Sequence, residues 1–228
     1  MNNVFIIIKK QLKDTLKNKT ILIQFILFPF MTLLMENAIS IDNMPDLFFV
    51  KLFSIMYIGM APLTSVSAIM AEEKEKNTLR VLMMANVKPW QYLAGVGIYV
   101  FTICMIGAGL MSTCLKTEVI GTYLCIMAFG FLISIVAGAC IGTFAKNQMS
   151  ATSLVMPIMM VLAFAPMIAS FNEKIEKFAR YLYTQQLSEI MNELSFQNVS
   201  SQSMIIIAVN SVVLLLAFFF VYRSKGLE

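Results

Sequence analysis

The chain has 228 residues, 59% of them hydrophobic and only 13% charged, with a formal net charge of +4. That charged fraction is about half of what a soluble domain carries, so a soluble enzyme is excluded and an integral membrane protein remains. The basic residues lie beside apolar runs rather than in a separate domain, which argues against a nucleic-acid partner. Histidine is absent, which removes a histidine base and any histidine-containing metal site, and no metal site is expected.

Residues 4–19 open the chain with two helical stripes. Phe5, Ile8, Leu12 and Leu16 fall on one, and Lys9, Lys13 and Lys17 on another. The pattern predicts an amphipathic helix lying in the inner membrane interface, its apolar side among the headgroups and its lysines toward anionic lipid. No small-residue cleavage site follows, so a cleaved signal is not expected. Apolar runs then predict six transmembrane helices at about 20–35, 48–70, 92–113, 119–144, 151–170 and 204–222. The expected architecture is an all-α polytopic membrane protein, a single transmembrane domain over residues 1–228. Pro29, Pro62, Pro157 and Pro166 lie inside these runs and predict kinks or tilts.

Six spans place both termini on one side of the membrane. Of the 17 Lys and Arg residues, twelve then lie on the side of the termini and five on the other. The positive-inside rule makes the termini cytoplasmic. Residues 71–91 become a cytoplasmic loop, and six of its residues between Glu72 and Arg80 are charged. Residues 171–203 become the long external segment. There Phe171, Ile175, Phe178 and Leu182 repeat at helical spacing, as do Leu187, Ile190, Met191 and Leu194. They predict two short amphipathic helices that rest on the outer interface or cap the bundle.

Smaller signals complete the reading. Asn198-Val-Ser200 matches a glycosylation pattern, without meaning in a bacterial cell. Cys104, Cys114, Cys125 and Cys140 read as small buried packing residues. Gly138 and Gly142 form a small-xxx-small pair for helix packing, and Gly95, Gly97, Gly107 and Gly109 offer further close approaches. No span carries a central Asp, Glu, Lys or Arg, which argues against a proton-coupled secondary transporter. Lys51 sits near the outer end of its span, where it can snorkel. No phosphate-loop motif occurs either, so energy from ATP would come from another chain.

The stretch from Glu72 to Gly95, "EEKEKNTLRVLMMANVKPWQYLAG", resembles the cytoplasmic loop of ABC-2-type transporter permeases. That family commonly shows a Glu-basic-Glu-basic-Gly-Thr run, a leucine-rich segment and an aromatic residue leading into the third span. The matching residues are Glu73, Lys74, Glu75, Lys76, Asn77 and Thr78, then Leu79, Leu82 and Met83, then Trp90; Asn77 stands where glycine is typical. A helix capped by Asn77 or Thr78 would present Leu79, Leu82 and Met83 to a groove in a soluble partner. Asn86-Val-Lys-Pro89 would end it.

The resemblance implies that this is the coupling helix to an ATP-binding cassette ATPase subunit. It also implies a second permease subunit, identical or related, and membrane lipid around both. This chain would bind no cofactor, with ATP and magnesium held by the partner. The family further implies a bacterial cell membrane and export of a hydrophobic or amphipathic compound, such as an antimicrobial peptide, antibiotic or lipid-like molecule. Small permeases of this kind resemble components of antimicrobial-peptide self-protection systems. A non-transporting membrane immunity or scaffold protein, or a secondary transporter, are the alternatives.

Overall fold

A backbone in lipid must satisfy its own hydrogen bonds, and long apolar runs without β-sheet partners do so as helices. The computed structural model describes residues 2–39, 45–194 and 200–226, and all regular structure there is helical. In chain order the helices are α1 (Asn2–Lys17), α2 (Lys19–Ala38), α3 (Phe48–Glu75), α4 (Thr78–Met84), α5 (Pro89–Met111), α6 (Thr117–Phe144), α7 (Gln148–Ala169), α8 (Glu173–Ala179), α9 (Tyr183–Glu193) and α10 (Ser201–Lys225). Six of them, α2, α3, α5, α6, α7 and α10, are long and apolar enough to cross a membrane. The protein is therefore an all-α polytopic membrane protein.

Most spans run past their hydropathic limits, because helical hydrogen bonding continues into the polar interface where an apolar run stops. The largest extension at a single end is in α3, which continues through the charged block to Glu75. At the other end of α3, the Glu36 carboxylate accepts from the backbone N–H groups of Phe49 and Val50 at 3.1 and 3.2 Å. It thereby satisfies donors that the first helical turn leaves unpaired.

Helix α3 is the axis of the bundle, packed against α2, α5, α6, α7 and α9. Its span is 72% buried, whereas no residue in the apolar stretch of α10 is. Small residues make this possible. A Cβ built at Gly138 would lie 2.7 Å from the Leu63 carbonyl oxygen, and one at Gly142 would lie 2.8 Å from the Met70 Cβ. Gly59 does the same for α7, where a Cβ would come within 3.0 Å of the Leu162–Ala163 backbone. Gly95 and Gly107 also sit at close approaches, to Ile7 and to Tyr57, but Gly97 and Gly109 do not. Among the cysteines, Cys104 is buried, Cys114 and Cys140 are half-buried and Cys125 is exposed, and all four are free thiols. The expectation of four buried cysteines thus fails at Cys125, which lies on an outward face of α6.

The segment after α7 departs from the sequence reading. Helix α8 stays peripheral, with Phe171 and Phe178 exposed. Helix α9 instead inserts among α3, α6, α7 and α10 and buries Tyr183, Leu187, Ile190 and Met191. Its lower end is held by Ser134, whose hydroxyl donates to the Ile58 carbonyl at 2.6 Å and lies 2.8 Å from the Tyr183 hydroxyl. A serine has one proton to give, so Tyr183 donates in that pair. Ile58 lies about 15 Å along α3 from Phe48 at the usual helical rise. The upper end of α9 meets Lys51, whose ammonium donates to the Asn192 carbonyl at 3.1 Å.

The break between α8 and α9 leaves carbonyls without helical partners, and side chains supply them. Gln186 donates to the Arg180 carbonyl at 2.8 Å, and Asn210 of α10 donates to the Tyr181 carbonyl at 2.9 Å. Asn198 and Val199 of the glycosylation pattern lie outside the described residues.

Gly138→Ala is expected to destabilise the detergent-purified protein by about 1–3 kcal/mol, because the clashing atom is backbone and cannot turn away. Gly109, with no atom within 4 Å of an added Cβ, is the control. Gly109→Ala should be neutral or stabilise by up to about 1 kcal/mol through helix propensity. Thermal unfolding of the two variants checks both.

Candidate functional site

Four consecutive residues at the end of α3 reach out to two sides. Successive positions on a helix point about 100° apart, so Glu72 and Glu73 face one way while Lys74 and Glu75 face the other. On the first side, Glu73 is buried, 5% exposed. Its Oε1 accepts from Gln11 Nε2 at 2.6 Å and pairs with the ammonium of Lys10, both on α1. Glu72 accepts from Asn18, at the α1–α2 junction, at 3.1 Å and pairs with Lys76.

On the second side, Lys74 donates to the carbonyls of Thr143 and Ala145 at 2.6 and 3.4 Å. A cation is thereby placed at the negative end of the α6 dipole. Glu75 accepts from the backbone N–H of Gln148 at 2.9 Å, an anion at the positive end of α7. Ala71, Ala145 and Ala151 close the contact beneath them. The charged block is thus a crosspiece that ties α1 to one flank of α3 and the α6–α7 turn to the other.

Helix α4 hangs from this crosspiece by two residues. Neither Asn77 nor Thr78 caps it. Asn77 adopts the left-handed conformation, φ 55°, without a side-chain cap bond. The Thr78 hydroxyl donates backward to the Glu73 carbonyl at 3.1 Å. Glycine is favoured at such a backbone, and asparagine is the residue that tolerates it next best. A second left-handed residue, Asn86 with φ 62°, turns the chain after α4. Pro89 then begins α5, and the Lys88 backbone N–H donates to Gln91 Oε1 at 3.0 Å.

Leu79, Leu82 and Met83, expected on the presented side of α4, instead face the bundle. Leu79 is 3% exposed, and the other two pack half-buried on the same core. The amphipathic pattern had no information on which apolar positions faced the partner and which the protein itself. The outward side carries Arg80, with Val81 58% and Met84 71% exposed. Trp90 is exposed as well.

Helix α1 has three faces rather than the two expected. Phe5, Leu12 and Leu16 point away from the protein, with Ile8 half-buried beside them. Lys9 and Lys13 are exposed on the next face, while the side chain of Lys17 lies outside the described residues. The third face, Ile7, Gln11 and Thr15, is buried, with Ile7 seated against Gly95. Gln11 is the one signal of it in the sequence, an uncharged polar residue between the apolar and basic stripes.

The environment of Glu73 is electrostatically tight. Burial by itself lowers the Lys10 pKa. The hydrogen bond and charge of Glu73, followed by those of Asp14, more than reverse this and hold it above the ordinary lysine value. The Lys76 pKa is likewise raised by Glu72. The buried Tyr92 hydroxyl lies against the Glu73 carboxylate, and Thr15 lies against Tyr99. Among the described residues no group of His, Cys, Asp and Glu side chains is arranged to hold a metal ion.

Six spans, an amphipathic helix along one face and a short helix slung beneath a charged crosspiece make a multi-pass membrane bundle. The model of the family described as ABC-2 family transporter protein matches residues 2–223, nearly the whole chain. The chain belongs to that family and is a permease subunit of an ABC transporter, a multi-pass membrane protein. A search of curated proteins found no significant match.

Two outcomes follow from this geometry. Asn77→Gly should leave stability within about 0.5 kcal/mol of the parent, whereas Asn77→Val should cost about 1–2 kcal/mol from its left-handed backbone; thermal unfolding compares them. Because the Lys10 pKa is raised in the folded state, its stabilisation is complete below the ordinary value of 10.5 and is lost as pH rises through the shifted value. Lys10→Met should therefore lower stability at neutral pH by about 1.5–3 kcal/mol, the worth of a hydrogen bond to a charged group. It should also flatten the alkaline fall in melting temperature expected of the parent above that pH.

Proposed function

We propose that this permease works as half of a membrane dimer, identical or related in its second chain, in which each subunit takes its drive from an ATP-binding cassette ATPase through α4. The observation that carries this reading is the exposed apolar pair Val81 and Met84 on a helix whose inner side is fastened to the bundle. Two large apolar side chains on the aqueous side of a membrane protein call for a cover, and a groove in a soluble partner supplies one. Arg80, Lys76 and Lys88 at the rim select orientation.

The crosspiece supports a route for the motion. A push on α4 reaches Glu73 through the Thr78 hydroxyl and the Leu79 packing. From there it divides toward α1 through Lys10 and Gln11, and toward the α6–α7 turn through Lys74 and Glu75. Lys10 is partly exposed, and losing its bond to Glu73 still costs about 1.5–3 kcal/mol, so this junction moves as a unit. ATP and magnesium bind to the partner, whose closure on ATP draws the two α4 helices together; hydrolysis resets them.

Both termini are cytoplasmic in this reading, supported by twelve of the 17 Lys and Arg residues on that side. Phe5, Leu12 and Leu16 then enter the inner leaflet, and Lys9 and Lys13 meet anionic lipid. The cargo is hydrophobic or amphipathic and is exported, consistent with spans poor in fixed charge. An antimicrobial peptide, antibiotic or lipid-like molecule fits, and self-protection of a bacterium against such a peptide is the narrower role.

The test is a Val81→Asp, Met84→Asp double variant. It should insert and fold normally yet lose co-purification of the ATPase and at least about tenfold in transport, since each buried charge costs more than the 1.4 kcal/mol that a factor of ten represents. Leu82→Asp should instead impair folding of the permease itself. Retention of the ATPase and of full transport by the double variant would sink the assignment.

A further inference from the structure

We infer that an apolar trough between α6 and α10 holds one acyl chain of a phospholipid from the leaflet at the N-terminal end of α10. The trough has a volume of about 570 Å³. Phe129 and Leu132 line it from α6, and Met204, Ala208 and Leu215 from α10, with Ile190 of α9 also at its surface. All five of the α6 and α10 residues are exposed, so the space between the two spans is open to the surroundings of the protein.

Chemistry, size and depth together select the occupant. Every side chain that lines the trough is a hydrocarbon or a thioether except Ser211, whose hydroxyl donates to the Ile207 carbonyl at 2.8 Å. A peptide strand or a polar ligand would lose hydrogen bonds there, and water would have no polar partners to hold it. An alkyl chain loses nothing. A helix of a second chain does not fit. A length of about 15 Å at a diameter of at least 10 Å occupies roughly 1,200 Å³, about twice the space present.

The trough runs from Ile126 to Val136 on α6 and from Met204 to Leu215 on α10, about 15 Å at the helical rise. That is half of a hydrocarbon core of about 30 Å, the reach of the chains of one leaflet. Met204 lies just inside the start of α10, so the exposed polar residues Ser201 and Gln202 stand where a headgroup emerges. The site also meets a need of α10, whose apolar stretch has no buried residue. Atoms beside a gap forfeit their dispersion contacts, and a chain in the trough restores them to both spans. None of this involves Val81 or Met84, and it stands independently of the ATPase dock.

The test uses the full chain purified in detergent. Taken directly from membranes, it should carry one tightly held phospholipid. After delipidation, palmitoyl lysophosphatidylcholine, which has a single chain, should be retained in native mass spectra and raise the melting temperature. Its octanoyl analogue should bind at least about tenfold more weakly, because each missing methylene removes buried apolar area. Ala208→Phe fills the trough and should lower retention of the palmitoyl lipid at least about tenfold on the same grounds. Ser211→Leu, a smaller filling, serves in its place if that variant does not fold. Val213→Phe, on the exposed far side of α10, should retain the lipid as the parent does. Equal retention by the parent and the filled variants overturns the site. A lipopeptide or a free fatty acid in place of the phospholipid on the membrane-derived protein overturns the phospholipid source. Loss of subunit association in Ala208→Phe, with lipid retention unchanged, overturns it in favour of a protein contact.

Discussion

Burial of the Glu73 carboxylate at the end of α3 is the constraint on which the surrounding architecture rests. A charge removed from water needs partners at hydrogen-bond distance, and Gln11 and Lys10 of α1 provide them. The amphipathic helix α1 is thereby docked to the central span. Once α1 is docked, Ile7 packs on Gly95 of α5. Lys74 and Glu75, one step further along the same turn, use helix dipoles instead. They hold the end of α6 and the beginning of α7 with charges that those helix termini favour.

The interior of the bundle follows a different logic. Lipid tails are as apolar as leucine, so span association rests on close packing and on hydrogen bonds between helices. Glycines at 59, 138 and 142 let backbones touch along α3. Hydroxyls then pin the register: Ser54 to Tyr123 at 2.7 Å, and Ser134 to Ile58 and Tyr183. A hydroxyl pair, Ser134 and Tyr183, also suspends α9 inside the bundle, while an amide, that of Asn210, attaches the otherwise peripheral α10 to the Tyr181 carbonyl. The crosspiece and this interior meet in α3, so a displacement at one end of that helix has packed partners along its whole length.

Much of the fold was legible before any coordinates. Six apolar runs, the amphipathic start and the helix-breaking Asn86-Val-Lys-Pro89 each report a local preference, and local preferences survive folding. The expected cap by Asn77 or Thr78 was not formed, because Asn77 takes a left-handed backbone and the Thr78 hydroxyl turns back to the Glu73 carbonyl. What periodicity could not decide was the direction of an apolar face. Leu79, Leu82 and Met83 share a stripe on α4, but whether a stripe meets a partner or its own bundle depends on what lies across from it. The same ambiguity hid the insertion of α9, where Leu187, Ile190 and Met191 read equally well as an interfacial surface.

Composition and order along the chain therefore determined that this is a membrane protein of six spans with a charged block after the second, and that it resembles ABC-2 permeases. Those properties depend on the transfer of residues into lipid and on short-range helix chemistry, both of which are written locally. Tertiary structure alone decided that Glu72 and Glu73 belong to α1, that Lys74 and Glu75 belong to the α6–α7 turn, and that Val81 and Met84 are the apolar residues left outside. The partners of Glu73, Lys74 and Glu75 lie between 62 and 73 residues away in the chain. Only the docking of whole helices brings such groups within the 3 Å or so over which a hydrogen bond acts.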